Sequence, residues 1–67
     1  MKIDGNKLKQ AREAAGLTQQ QLAEKAGIQV GTLSRLENGR QDNPHGSTIG
    51  AIAAALGVTR QDLMPDA

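Results

Sequence analysis

Two opposite charges stand where apolar side chains are expected. Arg12 shares a helical stripe with Leu8, Ala11 and Ala15, while Glu37 follows Leu33 by four residues and adjoins Leu36. Both therefore fall on faces that a small domain must bury. A buried charge is tolerated where an opposite charge meets it, so the pattern predicts that Arg12 and Glu37 pair. The alternative is two independent side chains that run out to solvent. Arg35 offers a second kind of chemistry, because its planar fork of N–H donors suits paired acceptors and the helical spacing turns it away from that buried face. Little else is available. The chain has no Cys and one His, His45, in a stretch that looks like a loop, with no Ser, His and acid cluster in a motif context. None of the glycine-rich phosphate fingerprints is matched. Catalytic, metal and cofactor sites are thus not expected, and the chain does not read as an enzyme.

The elements that must position these residues centre on residues 18 to 39, TQQQLAEKAGIQVGTLSRLENG. Thr18 with Gln21 three residues on is a capping box, which starts a helix over about residues 19 to 26. Gly27 then stands where a left-handed residue is wanted, giving a sharp turn. A second helix over about residues 29 to 38 stops at Gly39, since Asn-Gly after a periodic run is a C-terminal signal. Leu22, Ala23, Ala26, Ile28, Leu33 and Leu36 make one buried seam, and Ala23 puts a small side chain where the two helices must cross closely.

On either side the periodicity predicts three more helices. The first covers about residues 6 to 15 and is ended by Gly16. After a loop at 40 to 46 rich in turn residues, a second covers 47 to 56 with Ile49, Ile52, Ala53 and Leu56 on its stripe, weakened near its start by Gly46 and Gly50. A last short one follows Thr59 as N-cap, with Asp62 three residues on, and stops near Pro65; Leu63 and Met64 give it an apolar edge. The expected architecture is an all-α bundle of about five short helices, forming a single domain over residues 1 to 67. Its 67 residues are 37% apolar and contain no Phe, Tyr or Trp, so the core must be built from Leu, Ile, Val, Met and Ala, with a thin margin of stability. Neither a secretory signal nor an apolar run of about 18 residues is present, and a cytoplasmic location is expected. The net charge is only +1, but residues 1 to 40 carry seven basic against four acidic side chains, +3, and residues 41 to 67 carry one against three, −2. The positive charge lies with the central helix pair and the segment before it.

Gln19, Ala23, Gly27, Ile28, Leu33 and Leu36 stand where the Cro and lambda-repressor type helix-turn-helix family, which includes the xenobiotic-response-element-like regulators, places its signature residues. The closing Leu36-Glu37-Asn38-Gly39 is similar to that family's usual helix ending, and the likeness extends from about Lys7 to Met64. The loop before Pro44 is one residue longer than the commonest family pattern. The resemblance implies a lambda-repressor-like DNA-binding domain, and family members often join the positions of Arg12 and Glu37 by an internal salt bridge. It also implies double-stranded DNA as the partner, with the second helix of the motif as recognition helix in the major groove, in a small transcriptional regulator acting as a repressor.

Family members read bases from positions that are Val30, Gly31 and Arg35 here, on the outward face that also carries Gln29, Thr32 and Ser34. Val30 offers a thymine methyl contact, Gly31 close approach, and Arg35 alone a bidentate fit to guanine. Gln19 matches a phosphate-contacting Gln that also braces the recognition helix. Thr18, Asn38 and Arg40 are the further phosphate candidates, and Lys7 and Lys9 add diffuse attraction. A weak homodimer on DNA is expected, with Leu63 and Met64 either at its interface or in the core. No small-molecule ligand is suggested. The competing expectation is an antitoxin-like protein-interaction module on the same fold, with DNA contacts secondary.

Overall fold

In the computed structural model, which describes residues 2–41 and 43–66, helix α1 spans Gly5–Ala14, α2 Gln19–Ala26, α3 Val30–Glu37 and α4 Gly46–Leu56, followed by a single 3-10 turn at Gln61–Leu63. The described residues therefore hold four α-helices rather than five. Thr59 and Asp62 do form the reciprocal pair expected of a start signal, the Thr59 N–H donating to Asp62 Oδ2 at 2.9 Å and the Asp62 N–H to Thr59 Oγ1 at 3.2 Å. The turn stops at once because Met64 is extended (φ −90°, ψ 151°), as the residue before Pro65 is biased to be. The expected loop at 40 to 46 is shorter by Gly46, which belongs to α4, and includes Asp42, which lies outside the described residues.

Local signals account for the helix ends. α1 begins a residue early because the Asp4 carboxylate accepts from the N–H groups of Asn6 (2.9 Å) and Lys7 (3.2 Å). α2 opens on the complete Thr18 and Gln21 capping box. It closes at Gly27 (φ 72°), where the Ile28 N–H reaches the Ala23 carbonyl at 2.9 Å and the Gly27 N–H the Glu24 carbonyl at 3.2 Å. That Schellman arrangement satisfies two carbonyls that the helix leaves open and turns the chain within two residues. α3 is flanked by Gln29 and Asn38 as its caps, so it is one residue shorter at each end than its periodicity suggests.

The core is Leu8, Leu22, Leu33, Leu36, Ile49, Ile52 and Leu63, all fully buried, with Ile3, Ala23, Ala53 and Ala55 around them. Leu63 is thus core and not a surface for self-association, while Met64 is half-buried. Ala26 and Ile28 pack against this cluster only in part. α2 packs on α3 and α4, and α1 on α3 and the 3-10 turn. At Gly5 the first turn of α1 comes so close to the end of α3 that a Cβ there would lie 2.6 Å from the Leu36 carbonyl oxygen and 2.7 Å from that of Glu37. The chain ends of the bundle are tied as well: the Asp4 N–H donates to the Leu63 carbonyl (2.8 Å), and Lys7 Nζ to the Met64 carbonyl (3.0 Å) and Asp66 (2.7 Å). No helix among the described residues is long and apolar enough to cross a membrane.

Candidate nucleic-acid interface

α3 has two unlike faces, and the inner one fixes the outer. Inside, Arg12 and Glu37 meet in a fork, Nε to Oε2 at 2.7 Å and Nη2 to Oε1 at 3.1 Å, with side chains 12% and 2% exposed. Two neutral groups complete the site: Arg12 Nη1 donates to the Leu17 carbonyl at 2.7 Å, and Gln19 Nε2 to Glu37 Oε1 at 3.2 Å. α1, the α1–α2 connection, α2 and α3 therefore converge on one ion pair. Among the described residues no buried side-chain nitrogen or oxygen lacks a hydrogen-bond partner, which is the condition under which a buried pair is tolerated. The hydrogen bond to Glu37 raises the Arg12 pKa further above its ordinary value, so the cation persists at every working pH.

The outer face carries Gln29, Val30, Gly31 and Arg35, all exposed, with Thr32 and Ser34 half-buried between them. Val30 is 46% exposed and, among the described residues, is the large apolar side chain left open to solvent. Arg35 Nη2 donates to Thr32 Oγ1 at 3.3 Å, and Asn38 Nδ2 to Ser34 Oγ at 3.3 Å. Both links follow the i, i+3 and i, i+4 spacings of neighbours on one helix face. Arg40 is exposed just past the helix, with its backbone N–H on the Arg35 carbonyl at 3.0 Å. Gln19, at the start of α2, is half-buried and turned toward Glu37. Thr18 spends its hydroxyl oxygen on the Gln21 N–H at 3.1 Å. Lys7 is engaged by Asp66 and a carbonyl, which takes it out of any diffuse positive field, while Lys9 is exposed. His45 is exposed as the cap residue of α4, and no group of three potential metal ligands occurs among the described residues.

A short helix locked on one side and polar on the other, preceded by a helix, a left-handed glycine and a sharp turn, defines a helix-turn-helix unit. The chain belongs to the helix-turn-helix family, whose model matches residues 8–63. It is 38% identical over 64 residues to the HTH-type transcriptional repressor RghR of Bacillus subtilis, covering 96% of this chain and 47% of RghR. The chain thus spans about half the length of the curated relatives it matches. The N-terminal DNA binding domain of SinR from Bacillus subtilis superposes with a TM-score of 0.87 at 34% identity, over 92% of this chain and 90% of that one. A structure of hydroxyethylphosphonate dioxygenase contains the same fold (TM-score 0.82, 33% identity), which there makes up 14% of the chain. The fold alone does not decide what such a unit does, and the face of α3 must.

Proposed function

We propose that this chain is the sequence-specific DNA-binding part of a transcriptional regulator, a repressor acting in the cytoplasm, in which residues 1 to 67 work as one domain. The observation that carries the reading is the outer face of α3, with Arg35 projecting from a helix whose opposite side is fixed by the Arg12, Glu37 and Gln19 cluster. In the major groove the exposed first turns of α3 meet base edges, Arg35 supplies the fork for guanine, and Val30 meets a thymine methyl. Gln29 and Ser34 flank these contacts, while Gln19, Thr18, Asn38 and Arg40 lie at the rim, where a groove-bound helix meets phosphates. The kinship with RghR and with the DNA binding domain of SinR supports the same reading.

One protomer offers few base contacts, so specificity on this reading comes from two protomers on half-sites about 34–36 Å apart. Titration of the chain into random duplex DNA at several salt concentrations tests the assignment: affinity falls linearly on a log–log plot with salt, with a slope set by the phosphates engaged. Selection from random sequences then recovers a two-fold operator. A module that binds only protein gives no shift with either probe, and that result overturns the reading.

A further inference from the structure

The exposed arginine of α3 is not a free rod. A helical side chain leans toward the N-terminus of its own helix, so Arg35 lies back over the preceding turn, where residues 31 and 32 stand. Residue 31 is glycine, and a Cβ built there would lie 3.6 Å from Arg35 Nη1, so the guanidinium rests on open backbone. Residue 32 is threonine, whose Oγ1 accepts from Arg35 Nη2 at 3.3 Å. No salt bridge competes for Arg35 among the described residues, since the nearest acid along the helix, Glu37, is turned inward and held by Arg12 and Gln19.

We propose that Thr32 is a positioning residue for base reading: its hydroxyl holds the Arg35 guanidinium across Gly31, aimed over the first turn of α3 before DNA arrives. The inference rests on the proposed function, and assigns the contact with a G·C pair to Arg35 and the aim of that contact to Thr32. Of five N–H donors one goes to the hydroxyl and four remain, two of which suffice for guanine O6 and N7. A guanidinium already held in the bound pose loses less rotamer freedom on binding, and the advantage appears only at the base pair that it reads.

The test uses the 67-residue chain, the duplex recovered by selection with the wild type, variants of that duplex with each G·C pair replaced in turn, and random duplex. Thr32→Val keeps the shape and removes the hydroxyl, and Thr32→Ser restores it. Thr32→Val is expected to weaken the selected duplex about 3- to 10-fold, the worth of one hydrogen bond, and to flatten the preference at a single G·C pair. Random-duplex binding and the thermal unfolding midpoint stay unchanged, and Thr32→Ser recovers the preference. In an Arg35→Ala background the same substitution changes nothing, because the hydroxyl acts through the arginine. Additive losses from Thr32→Val and Arg35→Ala, or an unaltered preference in Thr32→Val, overturn the inference while leaving DNA binding in place. A wild-type chain that selects no sequence overturns the proposed function itself and this inference with it.

Discussion

Arg12 and Arg35 carry the same guanidinium, yet the molecule uses them in opposite ways. Arg12 is withdrawn from water and its donors go to Glu37 and the Leu17 carbonyl, whereas Arg35 stands in solvent with one internal hydrogen bond, to Thr32. Neither residue type nor helix membership separates them. The difference lies in which face of its helix each occupies: the Arg12 donors are taken up inside the fold, and those of Arg35 are left at the surface. The largest effect expected from breaking this division is on stability. Arg12→Met or Glu37→Gln leaves an uncompensated buried group and should cost about 3–5 kcal/mol, a large share of what a small domain has. Chemical denaturation measures it, and the double variant should recover part of the loss. Single-variant costs under about 1 kcal/mol would place the pair with ordinary surface contacts.

On the outer face the expected losses are smaller and appear in binding. Arg35→Ala should cost roughly 1–3 kcal/mol on the preferred duplex and relax the choice at one base pair, with stability unchanged within about 0.5 kcal/mol. Arg40→Ala, beyond the helix end, should weaken all sequences about equally and lower the salt slope by about one contact. Binding of both variants to specific and scrambled duplexes at two salt concentrations separates the roles, and a uniform loss for Arg35→Ala would make it a phosphate contact instead.

The smallest effect concerns two exposed carboxylates, Asp62 and Asp66. The Thr59 N–H and hydroxyl lower the pKa of Asp62, and the Lys7 ammonium lowers that of Asp66, each from an ordinary 3.8. A carboxylate with a depressed folded pKa adds stability above its unfolded pKa, and that increment fades as pH falls from about 3.8 through the lowered values. Unfolding followed across that window should show Asp62→Asn and Asp66→Asn slightly less stable than wild type near neutrality and indistinguishable from it in strong acid.

Much of the frame was legible because short-range chemistry specifies it. Thr18 with Gln21, Gly27 and the paired misplacement of Arg12 and Glu37 are patterns of a few residues, and the structure shows the cap, the turn and the ion pair at those positions. What escaped depends on distant parts meeting. Gly5 resembles a flexible residue near a terminus, yet it is where α1 touches the carbonyls of α3. Gly50 resembles a weak point in α4, yet a Cβ there would lie 2.6 Å from Nη2 of Arg60, which lies across it. Lys7 resembles one more positive charge, yet Asp66, 59 residues away, takes it. The last helix stays a single 3-10 turn because the sound start signal at Thr59 is followed within five residues by Met64, held extended before Pro65. On the candidate interface the outward positions followed from periodicity, but the contact between Thr32 and Arg35 required the side-chain direction as well as the spacing.

The close approach at Gly5 gives α3 the mechanics of a beam clamped at one end. Its last turn is gripped twice, through the Glu37 side chain from within and through the Leu36 and Glu37 carbonyls pressed against α1. Its first turn has neither grip: Gln29 provides no side-chain cap, and Val30 and Gly31 are open to solvent. The first turn is held instead by Leu33, which is fully buried, and by the N–H groups of Thr32 and Leu33 on the Gln29 carbonyl at 3.1 and 3.2 Å. The clamp at the last turn thus fixes the angle of α3 to the rest of the bundle.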